Sequence, residues 1–296
     1  MIWLKRLAFL AGGLVVLIVL AAATTYVIVG LRIGKRYDVA AVPIAVPTDS
    51  AAIAAGQHLV TAIGKCTLCH GEDLGGKVMG DDFAFGRLVA PNLTAGNGGV
   101  LGRDDNATIA RAIREGVRRD GTPLIFMPSN LYHPMSDADV GAIIAYLRSR
   151  PRVDRALPGS RIGPVARAVS LFTEFPLIPA RDIDRSVTPP REVPVEASAH
   201  YGKYLMQIGL CTGCHRPNLS GGSGPNGRSS NLTPAGIGSW TEADFTHALR
   251  EGRRLVGAPL DSAVMPWPLA GKMTDFELHA VWLYLKSLPP QTYGTR

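Results

Sequence analysis

Cys66-Thr67-Leu68-Cys69-His70 and Cys211-Thr212-Gly213-Cys214-His215 contain all four cysteines of this 296-residue chain. Each pentapeptide reads as a c-type haem attachment site. Two thiols three positions apart reach both vinyl groups of one porphyrin, and the adjacent histidine brings an imidazole nitrogen to the iron. Two C-x-x-C pairs also suit one tetrathiolate zinc site or two redox dithiols. Both fit worse, because a zinc ribbon separates its pairs by roughly 15 to 20 residues. Neither chemistry asks for a histidine after each second cysteine.

The surroundings of the pentapeptide also occur twice and in the same order, which marks an internal repeat. Residues 50–64 and 197–210 are helix-like, contain Gly56 and Gly202, and run directly into the cysteines. Asn92-Leu93-Thr94 and Asn231-Leu232-Thr233 follow, then a Gly-rich loop and a second helical segment ending Arg114-Glu115-Gly116 or Arg250-Glu251-Gly252. The glycine marks the helix end. After these helices the copies align at a constant offset of 138, through Met127-Pro128 with Met265-Pro266 and into a final helix.

The sixth iron ligand is expected in that stretch. A thioether favours ferrous iron and closes the position where oxygen or peroxide would bind. Met127 and Met265 are the candidates, each stiffened by a proline that lacks a backbone donor. Met135 and Met273 also repeat, but each precedes a helix cap, Ser136 with Asp139 and Thr274 with Glu277, and suits a hydrophobic staple. His133 competes for the first iron, although its counterpart is Gly271. His58, His200, His247 and His279 fall on helical segments or their edges and read as structural or surface residues, as do Met79 and Met206.

The last helix of each copy carries apolar residues at i, i+3, i+4 and i+7: Val140, Ile143, Ile144 and Leu147, then Leu278, Val281, Trp282 and Leu285. Tyr146 and Tyr284 correspond, and Gly56 and Gly202 would let the first helix approach them closely. A domain of roughly 90 to 100 residues is small, so haem itself must supply much of the interior, and the haem-free chain should be poorly folded. The expected fold class is all-α: two tandem domains, each a few helices wrapped around a covalent haem, behind an N-terminal transmembrane helix.

With these features in place, residues 50–290 resemble tandem class I cytochrome c domains. The second copy, with Asn231-Leu232-Thr233-Pro234, Gly236-Ile237-Gly238-Ser239-Trp240 and Met265-Pro266, resembles the multihaem cytochrome subunits of membrane-bound periplasmic dehydrogenases for alcohols, sugars or gluconate. The resemblance implies two covalently attached haem c groups, with Cys66, Cys69, His70, Cys211, Cys214 and His215 as attachment residues. It implies His70 with Met127 and His215 with Met265 as iron ligands, and Asn92 and Asn231 near haem propionates. Those subunits take electrons from a dehydrogenase and pass them to a quinone, an oxidase or a soluble cytochrome. They typically have three haem sites, whereas this chain has two and carries its anchor at the start.

Residues 7–31 are uncharged and long enough to span a bilayer, with Lys5 and Arg6 before them and Arg32, Lys35 and Arg36 after. Ala21-Ala22-Ala23 would suit cleavage of a signal peptide, but apolar residues continue to Leu31, which favours an uncleaved anchor. Basic residues on both sides leave the charge rule silent. Haem ligation outside the bacterial inner membrane then sets a cytoplasmic N-terminus and periplasmic haem domains. The expected division is an anchor over 1–36, domains over 48–150 and 197–290, and a connector over 151–196. The connector holds eight prolines, which argues for extended chain. Its apolar residues Val165, Val169, Leu171, Phe172, Phe175 and Leu177 are expected to pack across both domains. Part of the net charge of +7 sits beside the anchor, and no basic recognition helix or stacking platform suggests nucleic acid.

The combined expectation is a non-enzymatic single-electron carrier. The competing class is a dihaem enzyme, such as a peroxidase or a thiosulfate-oxidising protein, which needs an open or exchangeable iron position.

Overall fold

The computed structural model describes residues 2–173, 175–224 and 227–295. Helix α1 (Ile2–Gly34) opens the chain, with Val29 its one buried residue and a mean hydropathy of 2.6 in its most apolar window. The first repeat holds α2 (Ser50–His58), continued by a π-helical turn over Leu59–Ile63, then α3 (Cys66–His70), α4 (Asn106–Glu115), α5 (Ser129–Tyr132) and α6 (Asp137–Ser149). Helix α7 (Pro164–Phe172) follows. The second repeat holds α8 (Ala199–Ile208), α9 (Cys211–His215), α10 (Pro234–Ile237), α11 (Glu242–Glu251), α12 (Trp267–Ala270) and α13 (Asp275–Ser287). Strands are few. The antiparallel pair β1 (Lys77–Asp82) and β2 (Gly86–Ala90) takes on β3 (Arg161–Ile162), and β4 (Gly222–Gly224) pairs with β5 (Gly227–Ser229).

Local chemistry sets the helix ends. Ser136 Oγ accepts from the Asp139 amide at 3.1 Å to start α6, and Thr274 with Glu277 forms a reciprocal capping box at the start of α13. Helices α4 and α11 stop at Gly116 and Gly252, whose φ angles of 62° and 67° suit glycine and reverse the chain.

Each repeat is closed by its first helix crossing its last, α2 on α6 and α8 on α13. A Cβ on Gly56 would stand 1.9 Å from the Ala142 carbonyl oxygen, and one on Gly202 would stand 1.9 Å from that of Ala280. Tyr146 and Tyr284 flank the crossings, with their Cβ atoms 2.9 and 3.0 Å from the same hypothetical carbons. The close approach expected from the sequence is therefore present in both copies.

The two repeats share one apolar core, running from Val60, Ile63 and Ile144 to Leu205, Leu278 and Leu285. Polar contacts tie it across. The Tyr204 hydroxyl accepts from the Ser136 amide at 2.9 Å and donates to the Asp139 carboxylate. Lys65 is buried, and its Nζ donates to the Gly209 carbonyl at 2.7 Å and the Ile63 carbonyl at 3.1 Å. His58 Nε2 meets the Glu277 carboxylate at 2.8 Å. Donating a hydrogen bond to the Glu277 carboxylate raises the His58 pKa despite partial burial. Burial pushes Glu277 upward, but hydrogen bonds from His58 and Thr274 hold it below the usual range.

The signs give a pH window. A raised histidine stabilises the fold below its unfolded pKa of about 6.5, and that contribution fades as pH rises through the folded value. A depressed carboxylate contributes above its unfolded value of about 4.3 and is lost as pH falls through the folded one. The pair should be strongest between these limits. The stability lost on His58→Gln should be larger near pH 5.5 than at pH 8, read from thermal midpoints of the two proteins at both pH values.

Three expectations are corrected. The connector is extended only in part. Residues 164–172 form α7, and other parts are bonded to the first repeat: Arg155 N to Asn97 O, Asp137 N to Pro190 O and Ala138 N to Arg191 O. Its apolar residues do not pack across both domains. Leu171, Phe175 and Leu177 join Val29, Val117 and Ala180 against α1 and the first repeat, and Phe172 is exposed. The constant offset of 138 begins only at the methionines. Leu124 N to Gly116 O is matched by Leu260 N to Gly252 O, an offset of 136, so the second copy has two extra residues between Leu260 and Met265.

Candidate functional site

The two pentapeptides fold alike. Each is a single helical turn, entered through a left-handed residue, Lys65 (φ 51°) or Leu210 (φ 64°), and left through Gly71 (φ 80°) or Arg216 (φ 70°). Leu74 and Leu219 are left-handed as well, at φ 56° and 60°. A non-glycine residue held there costs roughly 1–2 kcal/mol, so its recurrence at matched positions points to a shape the site requires. Matched bonds hold that shape. Gly76 N donates to His70 O at 2.8 Å and Gly221 N to His215 O at 3.0 Å, while Leu93 N bonds Leu74 O and Leu232 N bonds Leu219 O, both at 2.8 Å.

Each histidine is buried and oriented. His70 Nδ1 donates to the Pro91 carbonyl and His215 Nδ1 to the Ser230 carbonyl, both at 2.8 Å. A donating Nδ1 fixes the tautomer that leaves the Nε2 lone pair available. Among the described residues neither Nε2 has a hydrogen-bond partner. Burial lowers both imidazole pKa values, keeping the rings neutral, which is the ligating form. The four thiols are free of disulfides, and burial raises each of them.

The methionine pairs separate. Met135 and Met273 lie inside the core, as staple residues would. Met127 and Met265 are half-buried at its edge, and both open the same tight turn. Ser129 N donates to Met127 O at 2.7 Å across Pro128, and Trp267 N to Met265 O at 2.6 Å across Pro266. The prolines, at φ −77°, ψ 52° and φ −74°, ψ 54°, sit in the inverse γ region. His133 is occupied elsewhere: Nε2 donates to Val187 O at 3.0 Å, and Nδ1 faces Glu115 Oε1 at 3.0 Å in an ion-pair contact without hydrogen-bond alignment.

Asn92 and Asn231 brace the backbone. Each Oδ1 accepts from the amide and hydroxyl of the threonine two residues on. Asn92 Nδ2 donates to Val153 O at 2.6 Å and Asn231 Nδ2 to Gln291 O at 2.7 Å, tying the chain beyond each final helix to this loop. Sequence reading missed this brace, although the repeated Asn-x-Thr carried the signal. It also missed Lys65, whose bond to Gly209 ties the residue before the first pentapeptide to the turn that leads into the second.

The residues suit a c-type haem twice over: a paired-thiol turn, an imidazole with a free Nε2, and a thioether on a rigid turn. The cytochrome c family profile matches residues 53–151 and 199–289. The chain belongs to the cytochrome c family. Among relatives of this cytochrome, a nicotinate dehydrogenase component of Pseudomonas putida is 33% identical over 225 residues, covering 72% of the chain and 18% of that protein. The fructose dehydrogenase cytochrome subunit of Gluconobacter japonicus is 25% identical over 271 residues, 82% of the chain and 54% of that protein. The cytochrome c subunit of the quinone alcohol dehydrogenase of Gluconacetobacter polyoxogenes is 28% identical over 280 residues, 82% and 57% respectively. The chain thus spans about half the length of these two cytochrome subunits, and less than a fifth of the first relative. Cytochrome subunits of this kind are electron-transfer proteins, and covalent haem c is the cofactor that the family implies.

Proposed function

We propose that this cytochrome is a dihaem electron carrier, anchored by α1 in the bacterial inner membrane with both haem domains in the periplasm. The proposed division is an anchor over 1–36, domains over 48–150 and 197–290, and a connector over 151–196. The observation that carries the reading is the matched pair of buried imidazoles, each with Nδ1 bonded to a backbone carbonyl at 2.8 Å and Nε2 left free. When bound, each haem supplies a one-electron ferric/ferrous couple. Cys66 and Cys69, with Cys211 and Cys214, would hold the porphyrins. His70 with Met127, and His215 with Met265, would supply the iron ligands.

The chain's own work is positioning. Pro91 and Ser230 hold the imidazole planes, and the Met-Pro turns limit thioether movement between oxidation states. Asn92 and Asn231 lock the loop beside each histidine. The shared core and the Lys65–Gly209 bond support a fixed distance between the two sites, which suits electron passage from one to the other.

Relatives named as dehydrogenase cytochrome subunits support a dehydrogenase as donor. A quinone, an oxidase or a soluble cytochrome would be the acceptor in a respiratory chain. A thioether in both repeats favours the carrier over a peroxidase-like enzyme, which needs an accessible iron. The full chain, purified from membranes, should contain two haems per polypeptide by the alkaline pyridine assay and survive denaturing gels with haem attached. Both haems should show the methionine-to-iron charge-transfer band. Bound zinc without covalent haem would overturn the reading, and a high-spin haem would return it to the enzyme class.

A further inference from the structure

Helix α7 turns an apolar face outward. Ala166 and Ser170 are buried, whereas Val165, Val169 and Phe172, at i, i+4 and i+7, form a stripe on the other side, with Val165 40% and Phe172 81% exposed. The turn between β1 and β2 adds Phe83 and Phe85, 82% and 55% exposed. The two surfaces are joined, since Val165 N donates to Ala84 O and Gly163 N to Phe85 O, both at 2.9 Å. Behind the hairpin is a cavity of about 250 Å³ whose lining includes Met79, Phe85, Phe126 and Leu177. Phe85 therefore borders open space on its inner side as well as solvent. A contiguous patch of this kind marks an interaction surface.

Its place beside α1 identifies the partner. The Arg167 guanidinium lies 3.9 Å from the centre of the Tyr26 ring, and Nη1 donates to Tyr26 O at 3.2 Å. Ser170 shares a small crevice with Val29 and Arg32. The middle of α7 is thus level with Tyr26 to Arg32 of α1. At 1.5 Å per residue, the 25 uncharged residues 7–31 extend about 38 Å, some 8 Å beyond a hydrocarbon core of about 30 Å. The ends of the span therefore occupy the interfacial layer, where tyrosine and arginine are favoured, and α7 lies in the same layer. Arg32, Lys35 and Arg36 on the emerging chain supply positive charge for lipid phosphates, while the carboxylate of Asp81, near the hairpin tip, is paired with Arg87 and Arg161.

We propose that the hairpin tip and the outer face of α7 insert into the phospholipid leaflet from which α1 emerges. The insertion gives the first domain a second membrane contact that fixes its orientation. It rests on α1 being a membrane span. Phe126, next to Met127, packs on Phe175 behind this surface with ring centres 5.6 Å apart. The insertion would therefore turn the Met127 loop toward the bilayer.

The test uses the full haem-loaded chain in nanodiscs of phosphatidylethanolamine and phosphatidylglycerol, with one nitroxide at a time on Ile18→Cys, Phe83→Cys, Phe172→Cys or Lys272→Cys. Haem attachment consumes the native thiols. Accessibility to oxygen relative to a water-soluble nickel chelate should be several-fold higher at 18, 83 and 172 than at the exposed control 272. Labels at 83 and 172 that match 272 while 18 stays lipid-exposed would overturn the insertion and leave the anchor standing. A label at 18 that matches 272 would remove the anchor, and the insertion with it. Labels at 83 and 172 shielded from both reagents would show protein covering the patch, which also overturns the proposal.

Discussion

Gly202→Leu is expected to destabilise this protein by about 3 kcal/mol or more, the upper range for overpacking, and to lower its thermal midpoint by roughly 10 °C. The reason is the absence of room. Even a Cβ would stand 1.9 Å from the Ala280 carbonyl oxygen, which is backbone in the middle of α13 and cannot rotate away. Helices α8 and α13 would have to separate, withdrawing Leu205, Leu278 and Leu285 from the shared core. Gly56→Leu meets the same obstacle at Ala142 and should cost about as much. Because one core serves both repeats, either change should broaden the melting of the whole molecule and reduce haem incorporation at both attachment sites. Gly80→Ala, where nothing lies within 4 Å of the new carbon, should be near neutral and serves as the control. A midpoint within about 2 °C of the parent for Gly202→Leu would show that the crossing is not rigid.

That crossing was legible in the sequence because two copies agreed on it. A glycine in the first helix and a tyrosine in the last recur together, and coincidence does not readily produce such a pair. The helix caps were legible for a similar reason, since Ser136, Thr274, Gly116 and Gly252 each act within three or four residues of themselves. The brace made by Asn92 was less legible, because its partners Val153 and Arg155 are some sixty residues away and contribute carbonyls, which every residue has.

The connector shows the opposite limit. Its prolines suggested extended chain, yet Pro164 sits at the first position of α7, where a missing amide costs nothing and the fixed φ favours helix. Its apolar residues were visible, but periodicity cannot say which neighbour they meet. Phe172 instead stands largely exposed, and Val165 partly so. The two-residue insertion before Met265 was hidden because the repeat is in register on one side of it and not on the other.

Met265→His is expected to lower the reduction potential of the second haem by on the order of a tenth of a volt while keeping it low-spin and attached, because imidazole stabilises ferric iron more than thioether does. The methionine-to-iron band should fall to about half, since Met127 would still serve the first haem. Pro266 and the 2.6 Å bond from Trp267 N to Met265 O hold the backbone of the turn independently of the side chain, so the replacement should leave the loop in place. Met273→Leu is the paired measurement. Met273 is buried among Ala270, Leu278 and the rest of the core, and a near-isosteric apolar swap there should cost less than about 1.5 kcal/mol and leave both potentials unchanged. Potentiometric titration of the full chain, followed at the band of each haem, separates the two cases. If Met273→Leu moved the second potential and Met265→His did not, the assignment would reverse in both repeats, because Met127 and Met135 stand to Met265 and Met273 at one offset of 138.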